Sequence, residues 1–116
     1  MNLTFAQIAP FVAEWRRLKL TDEDLQALES LISRNPLSGV LMQGTGGLRK
    51  IRFAPPSWRR GKSGSTRVCY VLFGEVAHCY LISIFTKSEK ANLSAADKVR
   101  VRRWIDDLRR RLKPEQ

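Results

Sequence analysis

Seven basic side chains between positions 49 and 67 (Arg49, Lys50, Arg52, Arg59, Arg60, Lys62 and Arg67) lie in a stretch with no Asp or Glu between Glu29 and Glu75. Fixed guanidinium and ammonium groups bind polyanions, and they stabilise negative charge that grows on a phosphate during reaction. RNA supplies its own nucleophile, the 2′-hydroxyl beside the scissile phosphate. In-line attack builds a phosphorane with extra negative charge, which clustered cations can hold without a metal. One proton must leave the 2′-hydroxyl and another must reach the 5′-oxygen. Lys and Arg are poor general bases at their ordinary pKa of about 10.4 or above, but neighbouring cations depress one another. The same groups also suit plain charge stabilisation and the orienting of a bound strand.

Other catalytic devices are poorly supplied. The sole histidine, His78, sits in a strand-like run and is expected to be structural. Cys69 and Cys79 also sit in apolar runs, without metal-ligand spacing. Both are expected to be buried and free rather than disulfide-bonded. No cluster of His, Cys and acids suggests a metal, and the basic stretch lacks the paired carboxylates of two-metal chemistry. No metal or cofactor is expected. Gly39, Gly44, Gly46 and Gly47 read as a turn between Leu37 and Gly47. Gly61-Lys62-Ser63 lacks the upstream glycine and the strand–helix frame of a nucleotide-binding loop.

Strands must hold the cations in place. Over about Leu48–Ala54, alternation sets Leu48, Lys50, Arg52 and Ala54 on one side and Arg49, Ile51 and Phe53 on the other. Ile51 and Phe53 are expected against a helical layer, which turns Lys50 and Arg52 to the open side. In Thr66–Phe73, Arg67, Cys69, Val71 and Phe73 share one face, and Val68, Tyr70 and Leu72 the other. Gly74-Glu75 predicts a tight turn into a strand over Val76–Thr86. The intervening WRRGKSGS is a polar loop, in which Trp58 either pins the loop down or stacks on a base.

The remaining elements frame these strands. Asn2–Ala6 is a short strand candidate. A helix is predicted over about Ile8–Leu18, with Pro10 in its first turn and Phe11, Trp15 and Leu18 on one face. Thr21 caps a second helix with the stripe Leu25, Leu28, Leu31 and Ile32, which Asn35-Pro36 ends. Ser94 and Asp97 form a capping box for a terminal helix to about Leu112, with Val101, Trp104, Ile105, Leu108 and Leu112 as its stripe. The arginines of that helix are either a solvated face or an extension of a nucleic-acid surface. The two N-terminal helices are expected to cover one sheet face and to leave the other for function.

The whole chain fits this picture. Its 116 residues suggest one domain, 1–116, and a hydrophobic fraction of 43% suffices for a core. Lys plus Arg number 21 against 11 acids, a net charge of +10, which favours nucleic acid ahead of an acidic membrane. There is no signal pattern and no apolar run long enough to cross a bilayer, so the cytoplasm is the expected compartment, without a membrane partner.

Three stretches, GTGGLRKIRFA, GKSGSTRVCYVLF and YLISIFTKSEKANLSAADK, together resemble the RelE/HigB superfamily of bacterial type II toxins, most closely its HigB-2-like branch. The resemblance covers nearly the full chain and keeps its element order. It implies an α+β fold: a RelE-like, small, mainly antiparallel β-sheet with an N-terminal helical hairpin on one face and a C-terminal helix. It implies a metal-free endoribonuclease, or mRNA interferase, that cuts mRNA in the ribosomal A site. A cognate antitoxin protein would hold it inactive, the toxin being monomeric or part of a hetero-oligomer with that antitoxin.

Site roles follow from the same resemblance. The family's basic pair on the first central strand is similar to Lys50 and Arg52, and its strand-opening arginine matches Arg67. Its basic residue after the last strand resembles Lys87 or Lys90. Arg67 and Lys87 would touch the reacting phosphate, while Lys50 and Arg52 would clamp it or tune the hydroxyl. Arg49, Arg59, Arg60, Lys62, Lys90 and Trp58 would bind RNA. Some members carry a C-terminal tyrosine that stacks on a substrate base. Here no aromatic follows Trp104, so stacking would fall to Trp58 or Phe85. Alternative readings are a ParE-like DNA gyrase inhibitor and a noncatalytic RNA- or DNA-binding module.

Overall fold

A computed structural model describes residues 2–58, 66–86 and 93–112 of the chain. The elements are β1 (Thr4–Gln7), α1 (Ala9–Arg17), α2 (Asp22–Arg34), β2 (Val40–Leu41), β3 (Leu48–Phe53), β4 (Thr66–Phe73), β5 (His78–Thr86) and α3 (Ala95–Arg111). The five strands form one sheet in the order β1-β5-β4-β3-β2. β1 runs parallel to β5, and the other pairings are antiparallel.

Local chemistry explains where the helices start. Thr21 accepts from the Asp24 amide while Asp24 accepts from the Thr21 amide, which closes a capping box on α2. Ser94 and Asp97 close the same box on α3. Each box satisfies two amides that the helix leaves unpaired. α1 has no side-chain cap and starts with Pro10 in its first turn, where a missing N–H costs nothing.

The first face of the sheet is buried under α1 and α2. Phe11, Trp15, Leu28 and Ile32 meet Phe53, Val68, Tyr70, Cys79, Leu81 and Ile84 there. Trp15 stacks on Phe11 at 5.4 Å and on Phe53 at 6.3 Å between ring centroids. The helical spacing of Phe11 and Trp15 thus becomes a wedge over β3. Ile51 packs on the same cluster, as the alternation of β3 predicts.

The second face differs from expectation, because α3 covers part of it. Ile105 is fully buried against Leu48, Cys69, Val71 and Phe73, with Val101, Leu108 and Leu112 beside it. A helix with an apolar stripe has to bury that stripe, and this end of the second face supplies the matching surface. Trp104 lies off the stripe, 38% exposed, with its edge toward Tyr80. Among the described residues, the part of the face that α3 does not cover is the end carrying Lys50, Arg52 and Arg67.

Three smaller differences have local causes. The predicted turn Leu37–Gly47 contains the edge strand β2, too short to show a periodicity. Its approach is tied down by Tyr70, whose hydroxyl donates to Pro36 O (2.7 Å) and accepts from Gly39 N (3.1 Å). The last strand starts at His78 rather than Val76, because Gly74–Val76 forms a 3-10 turn and Ala77 takes a left-handed conformation (φ 54°). Finally, the β4–β5 register shifts between Cys69 and Tyr70: Ser83 pairs with Cys69 and Leu81 with Tyr70, leaving Ile82 as an extra residue in β5.

Candidate nucleic-acid interface

Cross-strand register assembles the site. Arg52 of β3 is directly opposite Arg67 of β4, and Arg67 is directly opposite Phe85 of β5. The next row on the same face is Lys50, Cys69 and Ser83. Two residues along a strand is about 7 Å, so Lys50 lies one row from the Arg52–Arg67 pair on the same face. Side chains directly opposite in an antiparallel pair have Cβ atoms roughly 5 Å apart. Arg52 is exposed and Arg67 half-buried. Arg67 Nη1 also donates to Thr66 O at 3.1 Å, which helps fix its side chain beside the strand start.

Like charges directly opposite on a sheet are destabilising. Arg52 and Arg67 form such a like-charge pair. Phe85 adds an aromatic ring to the same row. β5 ends at Thr86, opposite Thr66. Lys87 and Lys90, which follow in the sequence, lie outside the described residues, as do Arg59, Arg60 and Lys62.

Arg49 is not brought to this row. It pairs with Tyr70 on the opposite face, and its Nη1 donates to Leu37 O (3.1 Å) and Gly39 O (2.9 Å). Sequence reading sets Arg49 among the RNA-binding residues with its direction at the strand entry left open; the structure instead engages its guanidinium with the backbone that leads into β2. Trp58 is half-buried at the end of the 3-10 turn Pro56–Trp58. That turn is anchored by Asp24, which accepts from Ser57 N at 2.9 Å and from the Ser57 hydroxyl. Asp24 is fully buried. Burial pushes its carboxyl up, but the hydrogen bonds from Ser57 and Thr21 outweigh it and hold the pKa below the ordinary value of 3.8. Sequence reading identified the Thr21 cap and missed this tether; a Ser distant in sequence gives no periodic signal.

Of the other reactive types, His78 and Cys79 stand apart from the row, while Cys69 lies in the next row. His78 opens β5 opposite Phe73, six residues along β4 from Arg67, or roughly 20 Å. Cys69 and Cys79 are free and buried in the clusters on opposite faces of the sheet. Burial, with a smaller contribution from the charge of Glu29, pushes the Cys79 thiol up to about 12. Among the described residues no three His, Cys, Asp or Glu side chains come together as metal ligands, and no helix is long and apolar enough to cross a membrane.

On α3, Arg100 pairs with Asp97, Arg102 and Arg109 with Asp106, and Arg110 and Arg111 with Asp107. Arg109 also lies over the Phe73 ring, 5.3 Å from its centroid. Several arginines of that helix are thus engaged within the molecule.

The sequence matches no protein-family model. Among solved structures, the toxin RelE from E. coli, in the free state of a mutant with two arginines changed to alanine, is similar with a TM-score of 0.52 and 18% sequence identity. The match covers 76% of this chain and 86% of that one. At this identity the likeness concerns architecture. The chain has the RelE-like α+β fold, a five-stranded, mostly antiparallel sheet with two N-terminal helices and a C-terminal helix.

Proposed function

We propose that the protein is the toxin of a type II toxin–antitoxin pair, of the HigB-2-like branch, and that it acts in the cytoplasm as a ribosome-dependent, metal-free mRNA endoribonuclease. The observation that carries this reading is the Arg52–Arg67–Phe85 row, with Lys50 one row away, at the uncovered end of the sheet face. The RelE-like fold supports it. So does the acid-free stretch between Glu29 and Glu75, which keeps the local field positive.

In this mechanism Arg67 and Arg52 hold the non-bridging oxygens of the scissile phosphate, with Lys87 completing the clamp. The 2′-oxygen attacks phosphorus as its proton departs. The bond to the 5′-oxygen breaks as that oxygen gains a proton. The products are a 2′,3′-cyclic phosphate and a 5′-hydroxyl. The cations act chiefly on the charge of the phosphorane, where a guanidinium fork matches two oxygens at once. Lys50 sits where an ammonium can orient the 2′-hydroxyl. Arg59, Arg60, Lys62 and Lys90 supply contacts to the RNA backbone, and a cognate antitoxin covers the cationic end of the face.

Mapping 5′ ends of mRNA in translating ribosomes tests this. The wild type should give new ends within codons, and Arg67→Ala and Lys87→Ala should remove them. Intact mRNA with DNA damage would instead identify a gyrase poison. RNA retention with no new ends would identify a binding module.

A further inference from the structure

A cavity of about 230 Å³ opens on the second face beside the arginine row. Ile82, Phe85, Leu93 and Val101 give it apolar walls, and Lys50 and Ser83 bring polar groups to it. Its lining runs from Ile8 and Pro10 at the β1–α1 junction across Leu48 and Cys69 of β3 and β4 to Val101 of α3, so the sheet face and the helix both form it. The cavity is smaller than the roughly 300 Å³ at which pockets for drug-sized ligands begin. Its size suits one planar ring system rather than a nucleotide chain.

We infer that this cavity receives the nucleobase adjacent to the phosphate held by Arg52 and Arg67; the inference rests on the ribonuclease reading and names the subsite that reads the substrate. Two observations converge on it. Phe85 is shared, since it stands in the arginine row and also lines the cavity. A phosphate at that row thus has a base-sized space about one row away, the separation that a ribose spans. Next, the extra residue in β5 sets both Ile82 and Ser83 on the cavity wall, where strict alternation would turn one of them away. Bulges recur beside active sites because they re-aim side chains in this way. Apolar walls take the two faces of a base, while the Ser83 hydroxyl, a donor and an acceptor, and the Lys50 ammonium, a donor, meet its edge. Lys50 in the cavity wall and the arginine row one step along the strands favour this occupant over an apolar side chain of a protein partner.

Methyl NMR on the full chain tests the assignment with the four nucleoside 3′-monophosphates and with ribose 5-phosphate as a base-free probe. The nucleotides should shift the Ile82, Leu93 and Val101 methyls, and ribose 5-phosphate should not. Ser83→Leu, which fills the space, should weaken nucleotide binding by about tenfold or more, the scale of a lost base contact. The same variant should flatten the base preference at mapped cleavage sites. Equal shifts from base-bearing and base-free probes would overturn the inference, as would an unchanged base preference in a Ser83→Leu protein that still cuts. Cavity methyls that respond only to a protein partner would overturn it too. Nucleotide-specific shifts in a wild-type protein that cuts no mRNA would sink the nuclease reading and leave the base cavity standing.

Discussion

The opposition of Arg52 and Arg67 matters because a sheet gains nothing by it. Cross-strand pairs of opposite charge or of apolar residues contribute roughly 0.2–1 kcal/mol, and like charges lose a comparable amount. Removing one of the two should separate stability from activity. Arg52 is exposed, so Arg52→Thr is expected to raise unfolding free energy by up to about 1 kcal/mol. The same substitution should lower mRNA cleavage by at least about tenfold, the cost of one charge-assisted contact to the transition state. Urea titration and 5′-end mapping on the same preparations check both halves. If the row is the proposed phosphate site, sulfate or phosphate should raise the midpoint of the wild type more than that of Arg52→Thr, which keeps one of the two guanidinium groups. A destabilised Arg52→Thr protein would show that the row is structural.

At the level of elements, Asp24 joins two pieces of chain that the sequence alone does not connect. Its carboxylate closes the α2 capping box and receives both donors of Ser57, which fixes the turn that precedes the basic run from Arg59. Asp24→Ala strands these donors and should cost on the order of 3 kcal/mol. The sign of its pH dependence follows from the lowered pKa. The contribution is fully present above the unfolded value of about 3.9 and is lost as pH falls through the folded value. Urea midpoints followed from neutral pH to about pH 3 should therefore drop more steeply in the wild type than in Asp24→Ala. A second element-level test is Tyr70→Phe, which leaves Pro36 O and Gly39 N without their buried partner and should cost about 1–3 kcal/mol. Gly39→Ala is expected to be at least as damaging, because its Cβ would lie 2.7 Å from the Tyr70 hydroxyl oxygen. These cases also show what could be read from the sequence. Strand phase put Lys50 and Arg52 together on the open side of β3 and Arg67 in phase with Cys69, Val71 and Phe73 on β4, because alternation is a local property; that the two sets share one face comes from the cross-strand register. The Thr21 cap and the Ser94 capping box were local as well. The docking of α3, the β5 bulge, the edge strand β2 and the Asp24–Ser57 tether were hidden, because each depends on partners far along the chain. The cavity followed from two of these hidden features and so could not be foreseen.

Across the whole molecule, a net charge of +10 does not say where a nucleic acid binds. The structure distributes that charge unevenly. The arginines of α3 that pair with Asp97, Asp106 and Asp107 do so at i,i+3 or i,i+4 spacing, while β3 and β4 bring two arginines together in a stretch without acids. Ion pairs on an exposed helix add little stability, but they reduce the potential that the helix projects. Salt titration of single-stranded RNA binding turns this contrast into a measurement, since each phosphate contact contributes about −0.7 to the slope of log affinity against log salt. The double variant Arg110→Gln, Arg111→Gln removes two charges that share Asp107 and should leave the slope nearly unchanged. The double variant Arg52→Gln, Arg67→Gln removes the same formal charge and should make the slope shallower by about 1.4, or two contacts. Equal changes in the two variants would mean that RNA senses only net charge, and the cationic row would lose its claim to be the binding site. A larger change from the helix would move the interface onto α3, away from both the row and the cavity beside it.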